Sequence, residues 1–227
     1  KKDSIYLLDW NNSFISKNTH LAKSFSEEYK KQFHLAKDKE RGFTKIESIK
    51  DVYDNDLIYH RLKTNQDVIV VKLDSMNPII RIKYRLKIPS NKFTGYGYTK
   101  SKNYYLQYWH LVPAMKLDAW TFYSNRNLND IPSSKYNITA LEIKTPDNYH
   151  VTTELKETKS ELSTSNGFKY SFWESKEIYD PKIYIEKERS YTLIEGNNLI
   201  FSKNKNTESY SLNKNQLKES AKKVLDF

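Results

Sequence analysis

Residues 80–88 constrain this chain more than any other segment. Ile80, Ile82, Tyr84, Leu86 and Ile88 alternate without a break against Arg81, Lys83, Arg85 and Lys87, and a period of two belongs to a strand with one dry and one wet face. Wound into a helix, the same residues would scatter these cations around the circumference and leave no apolar stripe to bury. Pro78 and Pro89 bracket the run; proline has no N–H to give to a ladder and marks where one stops. A chain that contains this strand must provide other strands for its edges and an apolar layer for its dry face.

Most of the remaining sequence reads as those other strands. Before the run, 44–52, 57–62 and 68–73 are apolar or β-branched segments separated by the turn signals Asp54-Asn55-Asp56 and Thr64-Asn65-Gln66. After Thr94-Gly95-Tyr96-Gly97-Tyr98, residues 104–112 are expected to form a long aromatic strand and 120–123 a short one. Then come 136–144, 149–155 and, past the Asn166-Gly167 hairpin signal, Phe168, Tyr170 and Phe172. Segments 183–185, 191–194 and 199–201 complete the set. Roughly ten short strands, spaced by about 8 to 14 residues, predict a mainly β fold: an antiparallel saddle-like sheet or a sandwich.

A helix is expected at each end. Residues 5–10 read as an apolar extended run closed by a polar Asn11-Asn12-Ser13 turn. Leu21, Phe25, Tyr29 and Phe33 then recur every four residues, the stripe of one amphipathic helix, with Asn18 or Thr19 to cap it and the charged run 37–41 to end it before Gly42. Near the other end Asn213 caps a helix that carries Leu217, Ala221, Val224 and Leu225 on one face. The expected organisation is 1–42 as an N-terminal strand and helix belonging to the same unit as the strands after Gly42, 43–203 as the β-saddle or sandwich domain, and 204–227 as a linker and helix leading toward further protein.

Composition narrows the function. Hydrophobic residues are 37% of the chain and aromatic ones 14%, enough to build a core, because a tyrosine buries its ring while its hydroxyl stays wet. The absence of cysteine excludes a disulfide scaffold, a thiolate metal site and a cysteine nucleophile. The net charge of +10 is spread along the whole sequence, so it reads as background composition, and nucleic acid is not the expected partner. No stretch approaches the roughly 18 apolar residues of a membrane helix, and no apolar leader comes after Lys1-Lys2-Asp3-Ser4. A soluble chain is expected, of undetermined compartment.

The usual catalytic signatures are missing. His20, His34, His60, His110 and His150 never come within five positions of each other, which excludes two histidines one helical turn apart as a zinc pair. No Gly-x-Ser-x-Gly elbow occurs, and Gly95-Tyr96-Gly97 lacks the Lys-Ser/Thr of a phosphate loop. Glu27-Glu28 lies on the outer face of the expected helix, where carboxylates are solvated. The remaining feature is aromatic: Tyr104, Tyr105, Tyr108, Trp109, Trp120, Phe122 and Tyr123, with Arg126 near them. Such a cluster is either a stacking platform or packing. Packing is the simpler reading, with His110 packed among them and Tyr104, Tyr108, Trp109 and Trp120 as core or domain-interface residues. No catalytic, cofactor-binding or metal residue is assigned.

Over residues 79–156 the order of segments resembles that of aminopeptidase N-like gluzincin zinc aminopeptidases, particularly a bacterial branch. The match runs from the charged alternating strand through Phe93-Thr94-Gly95-Tyr96-Gly97 and Tyr104-Tyr105-Leu106-Gln107-Tyr108-Trp109-His110-Leu111-Val112-Pro113-Ala114 to Leu117-Asp118-Ala119-Trp120. It continues with Tyr136-Asn137-Ile138-Thr139-Ala140-Leu141-Glu142-Ile143, Pro146-Asp147-Asn148-Tyr149 and Glu154-Leu155. In that family the passage is the N-terminal β-saddle domain. This chain departs from the commoner Trp-Tyr-Pro at Trp109-His110-Leu111-Val112-Pro113. Gln107 is out of frame with the acid or amide that holds a substrate amine in many members, so no binding residue carries over.

The resemblance implies a non-catalytic scaffold that packs on, and restricts access to, a peptidase domain of the same polypeptide. It places the zinc, the Gly-x-Met-Glu-Asn motif and the metalloprotease activity in that downstream domain, with no cofactor in this chain and peptide substrate met only through that partner. A different class of function is an autonomous binding module for peptide, glycan or nucleic acid, built from the aromatic cluster and the cations Arg81, Lys83, Arg85 and Lys87.

Overall fold

The structure, a computed structural model, describes residues 4–73, 79–122, 135–163, 167–194, 200–203 and 219. It is mainly β, and ten strand-to-strand pairings among its described residues are antiparallel, while Ser90 and Tyr98 form an isolated parallel bridge. In chain order the elements are β1 (Ser4–Leu8), α1 (His20–Glu27), α2 (Gln32–Leu35), β2 (Phe43–Lys50), β3 (Tyr59–Arg61), β4 (Val68–Lys72), β5 (Arg81–Lys87), β6 (Gly97–Tyr98) and β7 (Tyr104–Leu106). They continue with β8 (Val112–Pro113), β9 (Met115–Lys116), β10 (Trp120–Thr121), β11 (Tyr136–Pro146), β12 (His150–Thr153), β13 (Lys156–Ser163), β14 (Phe168–Ile178), β15 (Ile183–Glu186), β16 (Tyr191–Ile194) and β17 (Ile200–Lys203). The helix expected over 213–227 lies, apart from Glu219, outside the described residues, as do Tyr123, Arg126, Asn166 and Leu199.

The chain divides into two compact units, Lys1–Tyr98 with Gln107–Lys135, and Thr99–Leu106 with Tyr136–Phe227. The division falls inside the segment 43–203 and not at either of its ends.

In the first unit β3, β4, β1 and β8 form one sheet in that order, and β2 pairs with β5 in another. β4 is buried along Val68, Ile69, Val70 and Val71, as a β-branched run covered on both faces should be. Leu7, Ile49, Leu57, Ile69, Val71 and Leu73 make the core, and Ile46, Ile80 and Ile82 pack against it. The dry face predicted for 80–88 is therefore the face that meets the core.

A second core in this unit is aromatic: Trp10, Phe14, Phe25, Phe33 and Phe93, with Leu21, Ala22 and a partly buried Tyr108. It explains two corrections to the sequence reading. The stripe Leu21, Phe25, Tyr29, Phe33 is not one helix. α1 ends in a turn where Lys30 N–H donates to the Phe25 carbonyl (2.7 Å) and Tyr29 N–H to the Ser26 carbonyl (3.0 Å), with Tyr29 in the left-handed region at φ 58°. On one continuous helix, Phe25 and Phe33 would stand about 12 Å apart along the axis. After the reversal their rings meet edge-on at 5.1 Å, and Phe33 also stacks on Phe14 at 5.6 Å. Leu21, Phe25 and Phe33 are buried as the stripe predicts, but Tyr29 is 92% exposed. The second concerns the polar turn expected at Asn11-Asn12-Ser13, which is part of a 3-10 helix, Trp10–Phe14, whose residues are all buried.

In the second unit β11, β14 and β13 form one sheet in that order, and β12 pairs with β15, which pairs with β7. β13 and β14 pair as the expected hairpin, with Gly167 at φ 64°. Leu155, Trp173 and Ile183 are buried, and the Trp173 indole N–H donates to Ser171 Oγ at 2.9 Å.

Candidate functional site

The aromatic passage 104–112 is not the long strand its composition predicts. It is paired at Tyr104–Leu106 and again at Val112–Pro113. Between them the backbone bends, and Tyr108 takes the left-handed conformation at φ 48°, which costs a non-glycine residue about 1 to 2 kcal/mol. Burial offsets that cost: the Tyr108 ring packs against the aromatic core and meets Trp10 edge-on at 5.6 Å.

The four residues singled out from the sequence are each partly buried. Tyr104 is half-buried in β7 opposite Ile185, in the second unit. Tyr108, Trp109 and Trp120 belong to the first unit, in three different surroundings. Tyr108 lies on the aromatic core, the Trp109 ring is 4.6 Å from that of His110, and Trp120 tilts against Tyr6 at 5.5 Å beneath the Lys116 ammonium, also at 5.5 Å. Phe122 stacks on the same Tyr6 ring at 5.5 Å. Within the first unit, the described rings of Tyr108, Trp109 and Trp120 thus have different neighbours.

His110, packed beside Trp109, is held neutral by its surroundings: burial pulls its imidazole down to about 4, because the cation would give up its hydration. At neutral pH it carries no charge.

A polar site that sequence reading missed lies where β1 ends. Asp9 is fully buried and accepts from the Asn12 N–H (3.3 Å), Thr44 Oγ1 (2.6 Å) and Arg61 Nη2 (2.7 Å). Asn12 donates to the Gln66 carbonyl at 2.7 Å and accepts from the Thr44 N–H at 3.3 Å. Arg61 also donates to the carbonyls of Gln66 (2.7 Å) and Thr44 (3.2 Å), and Ser13 Oγ donates to Asp67 at 3.2 Å. Burial pushes the Asp9 carboxyl up, while Arg61, Thr44 and the Asn12 amide pull it back. Asp67 is pushed up too, again by burial first. With donors on both Asp9 oxygens, the network is a lock joining β1, β2, β3 and the turn before β4. The signal in the sequence was Asp9-Trp10-Asn11-Asn12-Ser13, polar groups directly after an apolar strand and within reach of its backbone.

The second unit holds another set of shifted groups. Burial raises Glu154, which accepts from the Lys182 N–H at 2.9 Å. The Tyr136 phenol is raised by burial, then by Asp180 and Glu154. Both shifts favour the protonated form, so neither group becomes a better nucleophile. Among the described residues no three His, Cys, Asp or Glu side chains gather as a metal site.

Comparison with known families, curated proteins and solved structures finds no family model, no curated protein and no solved structure that matches the chain.

Proposed function

We propose that this chain is a non-catalytic N-terminal scaffold domain of an aminopeptidase N-like zinc peptidase, packing on a downstream peptidase domain of the same polypeptide and restricting access to it. The observation that carries the reading is the order of segments over 79–156, taken with their placement on antiparallel strands. The charged alternating segment is β5, the aromatic passage opens as β7, Trp120 begins β10, and 136–146 is β11. The turn Pro146-Asp147-Asn148-Tyr149 closes with the Tyr149 N–H on the Pro146 carbonyl at 3.0 Å and leads into β12. The packed state of Tyr108, Trp109 and Trp120 supports a positional role over a ligand platform. The zinc belongs to the partner domain in this reading, and no step of its chemistry uses a residue of this chain.

The test compares two polypeptides. The 227-residue chain alone is expected to release no nitroaniline from an alanyl anilide, with or without added zinc. A parent polypeptide with Gly-x-Met-Glu-Asn and His-Glu-x-x-His after Phe227 is expected to hydrolyse it and to lose that activity to a chelator. Hydrolysis by the chain alone, or a coding sequence lacking both motifs after Phe227, overturns the reading.

A further inference from the structure

The wet side of the β2 and β5 pair concentrates charge in a way the overall composition hides. Arg81, Lys83 and Arg85 are exposed along β5, and the register sets cations of β2 against them: Lys45 faces Arg85 and Lys50 faces Arg81. Like charges directly opposite on one sheet face repel. A bulge between Ile46 and Ser48 lets one carboxylate, Glu47, reach both Lys83 (3.4 Å) and Arg85 (2.8 Å). Asp54 takes Lys50 (3.1 Å) and Arg81 (3.4 Å). Lys45 pairs with no carboxylate among the described residues, so the middle of the face keeps a positive excess.

Apolar side chains stand in water at one end of this stripe. Ile79, two residues before Arg81, is 65% exposed, and Val52 and Tyr53 are 51% and 83% exposed on the turn after β2. That turn is built to hold them out. The Asp51 carboxylate accepts from the N–H groups of Tyr53 (2.8 Å) and Asn55 (2.9 Å) and from the Asn55 side chain (3.0 Å). Arg81 ties the tip to the stripe, donating to the carbonyls of Asp51 (3.2 Å) and Val52 (3.3 Å). At the other end Phe43 is exposed beside the Lys87 ammonium.

We propose that this face docks on a membrane surface rich in anionic lipid, with Val52, Tyr53 and Ile79 entering the interfacial layer and Lys45, Lys83 and Arg85 over the headgroups. Apolar groups that enter the interface, set beside cations that meet anionic headgroups, are the two parts such binding needs. The cations of β5 recur about every 6.7 Å, so neighbouring ones lie within one Debye length of each other at physiological salt. A nucleic-acid strand fits the face less well: Val52 and Ile79 have no π-face to stack a base, and no aromatic residue lies in the middle of the stripe. Asp54 and Asp56 work against lipid contact at the tip, where Lys50 and Arg81 offset the first of them. The docking role is independent of the scaffold reading.

Co-sedimentation of the 227-residue chain with vesicles of phosphatidylcholine and phosphatidylglycerol, against vesicles of phosphatidylcholine alone, tests it. The chain is expected to pellet with the anionic vesicles, to stay in the supernatant when only neutral ones are present, and to be released by roughly 0.5 M salt. Each cation removed is expected to cost about fivefold in partitioning, so Lys83→Gln with Arg85→Gln loses about 25-fold. Lys45→Gln, which breaks no ion pair, loses about fivefold with folding untouched. Val52→Ser with Tyr53→Ser is expected to weaken partitioning while leaving its salt dependence unchanged. Equal partitioning onto neutral vesicles, no partitioning at all, or full partitioning by the Lys45→Gln and the Lys83→Gln, Arg85→Gln variants overturns the proposal. So does tight binding of a single-stranded oligonucleotide by a chain that ignores the vesicles.

Discussion

Arg61 reaches from β3 to the end of β1, where its Nη2 lies 2.7 Å from Oδ2 of a fully buried Asp9. The pair joins two strands that are not neighbours in their sheet, since β4 lies between them. Taking Arg61 away leaves a carboxylate in the interior with only neutral donors. Arg61→Ala is expected to lower unfolding free energy by about 3 to 5 kcal/mol. In an Asp9→Asn background the same change is expected to cost roughly half as much, because no charge is stranded. Urea titration of the four proteins in the double-mutant cycle measures the difference, and additive effects would show that the two side chains are not coupled.

Two residues of one sequence stripe should behave oppositely. Phe33 is completely buried and touches the rings of Phe14, Phe25 and Phe93, so Phe33→Ala is expected to cost about 3 to 5 kcal/mol. Tyr29 is solvated and strained at φ 58°, so Tyr29→Gly is expected to stabilise by up to about 1 kcal/mol. Thermal melts of both variants check the contrast. Similar losses at the two positions would restore the single-helix reading.

Gly95 and Gly97 separate two costs of adding a methyl group. Both have positive φ, but a Cβ on Gly95 meets nothing within 4 Å, whereas on Gly97 it would sit 2.2 Å from the Pro89 carbonyl oxygen. That approach is held by the Tyr98 N–H donating to the same oxygen at 2.8 Å. Gly95→Ala is expected to cost about 1 kcal/mol, the backbone contribution alone. Gly97→Ala is expected to cost several times that, or to leave no folded protein in solution. Equal melting temperatures for the two variants would contradict the packing described for this turn.

The buried imidazole of His110 makes stability depend on pH. Its folded value, about 4, lies below the ordinary 6.5, so between these values the unfolded chain binds more protons than the folded one, and stability rises with pH. The contribution is fully present above about 6.5 and is lost as pH falls toward 4, by roughly 3 kcal/mol at most. Urea titrations at a series of pH values should show this slope in the parent and a shallower one in His110→Gln. An identical slope in both would mean that other groups cause it.

Local patterns in the sequence were enough to place many elements, because alternation and capping act between residues a few positions apart. The strand at 80–88, the Thr19 cap, whose side chain accepts from the Ala22 N–H at 3.3 Å, and the hairpin at Gly167 are all of this kind. The burial of Leu21, Phe25 and Phe33 was set by their period as well. What local pattern does not encode is where a distant partner will be. The helix breaks at Tyr29 because Phe25 and Phe33 converge on the core that holds Phe14 and Phe93. The aromatic passage bends at Tyr108 toward that same core, whose members come from separate parts of the chain. The lock around Asp9 needs Thr44, Arg61 and Gln66, none of which announces its role in its own neighbourhood.

The sequence by itself determined that the protein is a mainly β, antiparallel structure with a cationic strand face, since strand period and turn chemistry are short-range properties of the backbone. Only the tertiary structure decided which polar groups would be dry and which apolar ones wet. That choice depends on which surfaces meet across long sequence separations, and desolvation acts on whatever groups the meeting brings inside.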